Sequence, residues 1–332
     1  MQLDSVRELK AALTSSILVA LAQSVTARRL LSVAAQPVSA ATGMHRTIAL
    51  GIVKTGKKDY RLAVRLQRRA MESSPYLDAI HRKAKGEIDV QFVGRVVKRG
   101  LPWHQKRNRP LRIGGSIGHY KVTAGTLGCF VRSRADGAVL ILSNNHVLAD
   151  EYRGKIGDPI LQPGAYDRGK NPADAVGKLA KSVTLKRRGA NRVDCAVASM
   201  NAKVKYSSTR LTGLGRLAGL NEDVLDEGVK VAKVGRTTGT THGRVTAFEL
   251  DHLIVGYDIG NLRFDDQIEI EGADDEPFSD GGDSGSLVVD DQRCGVALLF
   301  AGSDQGGTNG RGLTYANPLR TVLNQLRVDL LY

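Results

Sequence analysis

From Gly118 onward the chain is written as short apolar runs, each stopped by Gly, Asn or Asp. That rhythm rules out long helices and leaves a β-barrel or β-sandwich. The runs are Val122–Val131, Val139–Leu142, Val229–Val234, Gly243–Leu250, Leu253–Tyr257, Gln267–Glu271, Ser286–Val289 and Val296–Ala301. Between Leu211 and Leu225 the chain has room to pass from one barrel to a second. Pro318–Leu326 reads as a closing helix, with Asn317 available as its cap. The expected fold class is mainly β, with a two-barrel domain over 119–332.

The first third is built differently. Residues 3–33 place Val6, Leu9, Leu13, Ile17, Leu21 and Val25 at helical steps, which predicts one amphipathic helix within a segment 1–36. Such a helix needs a surface for its stripe, either the chain's own body or a second subunit. Pro37 to Gly43 reads as a hinge. Within 37–100, Thr47–Val53 and Tyr60–Leu66 read as strands, Tyr76–Lys85 as a helix capped by Ser74, and Ile88–Val97 as a strand. Together they predict a small basic α+β module. Residues 101–118, rich in Pro, Gly and basic side chains, read as a linker.

One stretch carries chemistry. Ser-Asp-Gly-Gly-Asp-Ser-Gly-Ser-Leu-Val-Val, residues 279–289, joins a glycine-punctuated turn to a buried strand. A serine at such a corner exposes its hydroxyl, and the glycines free backbone N–H groups to converge on one point. Ser284 is therefore the candidate nucleophile, with the N–H groups of Gly282 and Ser284 as the oxyanion hole. The competing reading is a plain hairpin turn, since Gly, Asp and Ser dominate turns for conformational reasons alone.

A base and an acid upstream decide between the two. His146 follows the run Val139–Leu142 and the sequence Ser-Asn-Asn, at a strand end entering a short helical turn. Asp194 is a lone carboxylate in Arg-Val-Asp-Cys-Ala-Val-Ala. An unpaired carboxylate buried there would cost several kcal/mol, roughly, so it implies a partner, and an imidazole N–H is a good one. Asp150 and Asp174 are rival acids in more polar surroundings.

His146, Asp194 and Ser284 stand in chymotrypsin-type order, separated by 48 and 90 residues, where about 45 and 93 are typical. Ser-Asn-Asn-His-Val-Leu-Ala, Val-Asp-Cys-Ala-Val and Gly-Asp-Ser-Gly-Ser-Leu-Val-Val resemble the three catalytic blocks of trypsin-like, chymotrypsin-fold serine peptidases. The segments 109–119, 124–128, 157–164, 234–239 and 298–303 further resemble the plant narrow-leaf type proteases and their bacterial relatives. The resemblance runs from about Arg109 to Leu326. It implies a serine endopeptidase acting on protein or peptide substrates through an acyl-enzyme; no cofactor is expected, and without EF-hand spacing no metal is expected either.

Two departures qualify it. Gly285-Ser286-Leu287 stands where digestive trypsins have Gly-Gly-Pro. No Ile-Val-Gly-Gly-like activation site precedes the first barrel strand, so control by a partner or trigger is expected instead of zymogen cleavage. The resemblance places the substrate pocket at Phe278, Ser279, Phe300, Ala301 and Gly302. Phe278 falls where trypsin carries an acid, which favours an apolar or small side chain before the cut. Glu271, Asp274, Asp275, Glu276 and Asp280 form either a solvated acidic loop or an attractor for basic substrates or a cation.

The net charge is +14, and all of it lies in residues 1–113, which hold 22 Lys/Arg against 7 Asp/Glu. Lys54, Lys57, Lys58, Arg61, Arg65, Arg68 and Arg69 alternate with apolar residues over the predicted hairpin. Such a face has three uses: holding nucleic acid by phosphate neutralisation, docking the acidic loop of a second copy, or keeping the module soluble. The rival function is a non-catalytic or latent adaptor on a protease fold whose basic module binds a partner. Cys129, Cys195 and Cys294 lie in apolar runs and are odd in number, which favours reduced thiols and the cytoplasm. The apolar core Ile17–Ala22 is too short to span a bilayer.

Overall fold

The computed structural model describes residues 1–18, 48–94, 96, 100–223 and 225–332. These fall into two units, Met1–Gly100 and Leu101–Tyr332. Among them, no helix is long and apolar enough to cross a membrane.

In the first unit Ile48–Lys54 and Tyr60–Leu66 pair as an antiparallel hairpin, and Ile88–Phe92 adds in parallel on the far side of Tyr60–Leu66. The helix Pro75–Lys83 supplies the crossover that a parallel neighbour requires. Ser74 caps it, its hydroxyl accepting the Leu77 N–H at 3.2 Å, with Pro75 in the first turn. The N-terminal helix is observed over Leu3–Leu13 with a π turn over Thr14–Leu18. The predicted continuation to residue 33, and the hinge at 37–43, lie outside the described residues. Val6 and Leu13 are buried with Ile48, Leu62, Val64, Leu66 and Ile80. The stripe of the described helix thus finds its surface in the chain's own module.

In the second unit the expected pair of barrel-like sheets is present. The first runs Val328–Leu330, Cys129–Ser133, Val139–Ser143, Ala196–Met200, Ala175–Ser182, Pro159–Leu161, Ser116–His119 and Gly125–Thr126. The second closes on itself: Cys294–Gly302, Leu287–Asp290, Lys230–Gly235, Gly239–Leu250, Gln267–Gly272 and Leu313–Pro318, the last pairing back onto the first. Closure removes the exposed edges that an open sheet of this length would leave. Leu253–Tyr257 and Gly260–Phe264 form a hairpin that Ala190–Asn191 joins in parallel, making a separate three-stranded sheet.

Two expectations change. Residues from Leu101 onward belong to the second unit. Ser116, Ile117, Gly118 and His119 are all buried in the first sheet, and Leu111–Arg112 pairs with Tyr206–Ser207. The linker reading of 101–118 therefore gives way to packed structure. The closing helix is Leu319–Leu326, but Asn317 does not cap it. Its side chain instead accepts the Asp194 N–H at 2.9 Å and donates to Gln267 at 2.6 Å.

Candidate active site

His146 sits in the short helix Asn145–Leu148 that follows Val139–Ser143. Asp194 lies just before the strand Ala196–Met200, at its entry instead of inside it. Because Ala196–Met200 pairs with Val139–Ser143, the two residues arrive at the same end of the sheet. His146 Nδ1 lies 2.6 Å from Asp194 Oδ2.

The carboxylate is fully buried and each oxygen is occupied. Oδ1 accepts the N–H of Asn145 at 2.6 Å and of His146 at 3.3 Å, while Oδ2 also accepts the Tyr257 hydroxyl at 2.6 Å. Burial alone would raise the Asp194 pKa. The charge and hydrogen bond of His146, with the hydroxyl of Tyr257 and the backbone N–H, outweigh it and hold the carboxyl below its ordinary value. For His146 burial pulls the pKa down, but the Asp194 carboxylate and, further off, Glu151 push it above 6.5. The imidazole keeps 24% of its surface exposed.

Tyr257 was not legible as a site residue. Its hairpin carries it beside His146, ring centroids 5.9 Å apart and edge-on, and it stacks on Phe264, which in turn meets Phe300. The rival acids are engaged elsewhere: Asp150 with Arg153, Asp174 with Arg107.

Ser284 is half-buried in the turn before Leu287–Asp290. The turn is fastened to the first sheet, with Thr126 N–H donating to the Ser284 carbonyl at 2.8 Å and the Thr126 hydroxyl to the Gly282 carbonyl at 3.0 Å. A Cβ on Gly125 would lie 2.4 Å from Val147 and 3.0 Å from the Ser284 carbonyl, so that glycine marks where the histidine's helix meets the serine's turn. Among the described residues no hydrogen bond joins the Ser284 hydroxyl to His146. The N–H groups of Asp283, Gly285 and Ser286 are spent on the carbonyls of Asp280, Leu299 and Asp283. Those of Gly282 and Ser284 have no acceptor among the described residues.

Asp283 anchors this turn from within. It is fully buried and accepts from the N–H groups of Thr237, Thr238 and Asp280, the Thr238 hydroxyl, and the ammonium of Lys233 at 3.1 Å. Lys233 is also fully buried. Burial lowers its pKa, and the Asp283 carboxylate restores only part of the loss.

Two of the residues expected to line the substrate pocket are withdrawn into the interior. The Phe278 ring is 1% exposed and packs in the second barrel's core with Val231, Val245 and Ile270, because a side chain there completes the barrel interior. It offers no surface to a substrate. Phe300 is likewise buried, against Phe264 and Leu262. Ser279, Ala301 and Gly302 keep accessible surface, and the Ser279 hydroxyl bonds that of Thr314 at 2.7 Å. The acidic loop also divides: Glu271 is buried and bound to Arg244, Thr308 and Asn309, whereas Asp274, Asp275 and Glu276 are exposed. A cavity of about 560 Å³ between Leu214, Ala232, His242 and Asp274 is lined by Glu271 and Asp274 of the acidic loop but by none of the candidate catalytic, oxyanion-hole or substrate-pocket residues.

No family model matches the chain, and no curated protein matches it. Solved structures similar to it include the Nocardiopsis protease NAPase, 18% identical with a TM-score of 0.47, covering 67% of this chain and 99% of that one. Thermobifida fusca Protease A is 16% identical, with a TM-score of 0.46 and coverage of 67% and 98%. Cellulomonas bogoriensis chymotrypsin is 22% identical, with a TM-score of 0.45 and the same coverage.

Proposed function

We propose that the chain is a serine endopeptidase in which Ser284 attacks a peptide carbonyl and is acylated. His146 takes the hydroxyl proton and returns it to the leaving amine, while Asp194 orients the ring and stabilises its charged form. The tetrahedral oxyanion is received by the N–H groups of Gly282 and Ser284. Water then repeats the sequence to release the acid. The single observation that carries this reading is the pairing of His146 Nδ1 with a buried Asp194, in one unit with a serine turn that leaves two N–H groups unspent. The lack of a hydrogen bond between His146 and Ser284 among the described residues is compatible with it, since such bonds are often loose before substrate binds.

Regulation without cleavage belongs to the same proposal. The carboxylate preceding the nucleophile is neutralised by Lys233 of the same chain, so the turn needs no cation released by processing. The test is labelling by a serine-directed fluorophosphonate. Wild type is expected to label and Ser284→Ala to lose labelling and proteolysis while melting normally. Labelling that persists in Ser284→Ala would assign the nucleophile elsewhere.

A further inference from the structure

The turn before Ser284 is gripped by side chains that the proposed chemistry does not itself use. In a trans peptide the C=O and the following N–H point in opposite directions. Gly281–Gly282 is such a peptide, the cis bonds among the described residues being those before Pro110, Pro163 and Pro172. Its carbonyl accepts the Thr237 hydroxyl at 2.6 Å, so its N–H is turned away from Thr237. Gly282 has φ +95°, and a Cβ there would lie 2.6 Å from Thr237 Oγ1 and 2.9 Å from Arg236 Nη1. The backbone is thus pressed onto these two side chains.

The hydroxyl is itself set. Arg236 Nη1 donates to Thr237 Oγ1 at 3.1 Å, which leaves the hydroxyl proton for Gly281. Arg236 is held in turn by a two-pronged ion pair with Asp167, Nε to Oδ2 at 2.7 Å. Both residues are more than nine-tenths buried. Asp167 closes the turn Ala165–Asp167, which follows the first-sheet strand Pro159–Leu161.

We infer that Thr237 is a positioning residue for the oxyanion hole, its hydroxyl fixing the Gly281–Gly282 peptide with the N–H turned into the hole, and the Asp167–Arg236 pair locking that hydroxyl as a donor. The inference rests on the serine endopeptidase reading. Two successive glycines offer little resistance to rotation of the peptide between them. Once the hydroxyl is gone the peptide turns over and one of the two donors is withdrawn. That donor acts on charge that develops during the reaction, so its loss falls on kcat and leaves KM nearly alone.

The test compares Thr237→Val, which keeps the shape and loses the hydroxyl, with Thr237→Ser, which keeps the hydroxyl. In Thr237→Val, fluorophosphonate labelling and kcat on a peptide ester are expected to fall on the order of 10- to 100-fold, with KM within about twofold. Thr237→Ser should stay within about threefold of wild type. Labelling of Thr237→Val at the wild-type rate overturns the inference. Its crystal structure is a separate arm: a Gly281–Gly282 peptide that has not turned overturns the inference even where activity is lost. Should Thr237→Val fail to fold, Asp167→Asn carries the same prediction at smaller amplitude, roughly threefold or more in kcat, and wild-type behaviour there overturns it. A wild-type chain that never labels refutes the endopeptidase reading instead, and the crystallographic arm still decides this one.

Discussion

Replacing Lys233 by Met tests how far one buried charge holds the turn that presents Ser284. Lys233 Nζ reaches Asp283 at 3.1 Å and the Gly239 carbonyl at 3.3 Å, both away from solvent, and the part-buried Thr238 hydroxyl. Methionine matches the length of the stem and removes the cation. The Asp283 carboxylate stays buried, keeping its three N–H donors and one hydroxyl donor. Removing one partner of a buried pair costs about 3–5 kcal/mol, and the four remaining donors argue for the lower end. At roughly 2–4 °C per kcal/mol for a unit of this size, the melting temperature should fall by about 6–12 °C. Scanning calorimetry reads the loss, and fluorophosphonate labelling reads the effect on the turn. The double variant Lys233→Met/Asp283→Asn buries no charge, so it should recover about 1–3 kcal/mol over Lys233→Met alone. The alkaline side gives a further sign. The folded pKa of Lys233 lies below its unfolded value, so the unfolded state binds more protons between the two and stability rises with pH across that window. Lys233→Met should lose that rise. A single variant that melts within a degree of wild type, or a double variant no better than the single, refutes the reasoning.

Two further outcomes follow from the same geometry. The Asp194 carboxylate overcomes the effect of burial and holds the His146 pKa above 6.5. Since the base must be neutral, kcat/KM should rise with pH through a value above 6.5, and the stability given by the charged pair should be full below the unfolded value and fade across the same rise. A profile on a peptide ester whose acid limb lies at or below 6.5 contradicts this. Gly285 has φ +91°, and a Cβ there would lie 2.1 Å from Ser143 Oγ and 2.4 Å from the Thr126 carbonyl, two groups already bonded to each other at 2.7 Å. Gly285→Ala should therefore destabilise by about 3 kcal/mol or more and abolish labelling. A variant that melts and labels as wild type shows that the turn can give way.

The parts of this molecule that could be read from the sequence are those where a local rule has one physical outcome. Alternating apolar runs gave strands such as Tyr60–Leu66, and Ser74 before Pro75 gave a cap, because neither depends on distant residues. Residues 101–118 misled for the opposite reason. Their glycines suggest a loose chain, yet a Cβ on Gly114 would lie 2.4 Å from Val234, so that glycine is there to let two backbones approach. Phe278 misled through position alone, since a place in a motif does not say which way a ring points. Tyr257 is a single polar residue in a hairpin with no period to mark it, and the segment 234–239, although it carries the resemblance, does not say what Arg236 and Thr237 hold.

Lys233 is a different case, because the signal was present. It stands in the largely apolar run Val229–Val234, beside the exposed Lys230, as Asp194 stands in its own, and the same cost of burying a charge applies to both. For Asp194 the sequence contained a marked imidazole to complete the inference. For Lys233 it contained many carboxylates of equal appearance. A charge in an apolar run fixes the sign of its partner and leaves the partner's place open. Only the pairing of Lys230–Gly235 with Leu287–Asp290, which brings strand 230–235 against the chain just after the serine turn, selects Asp283.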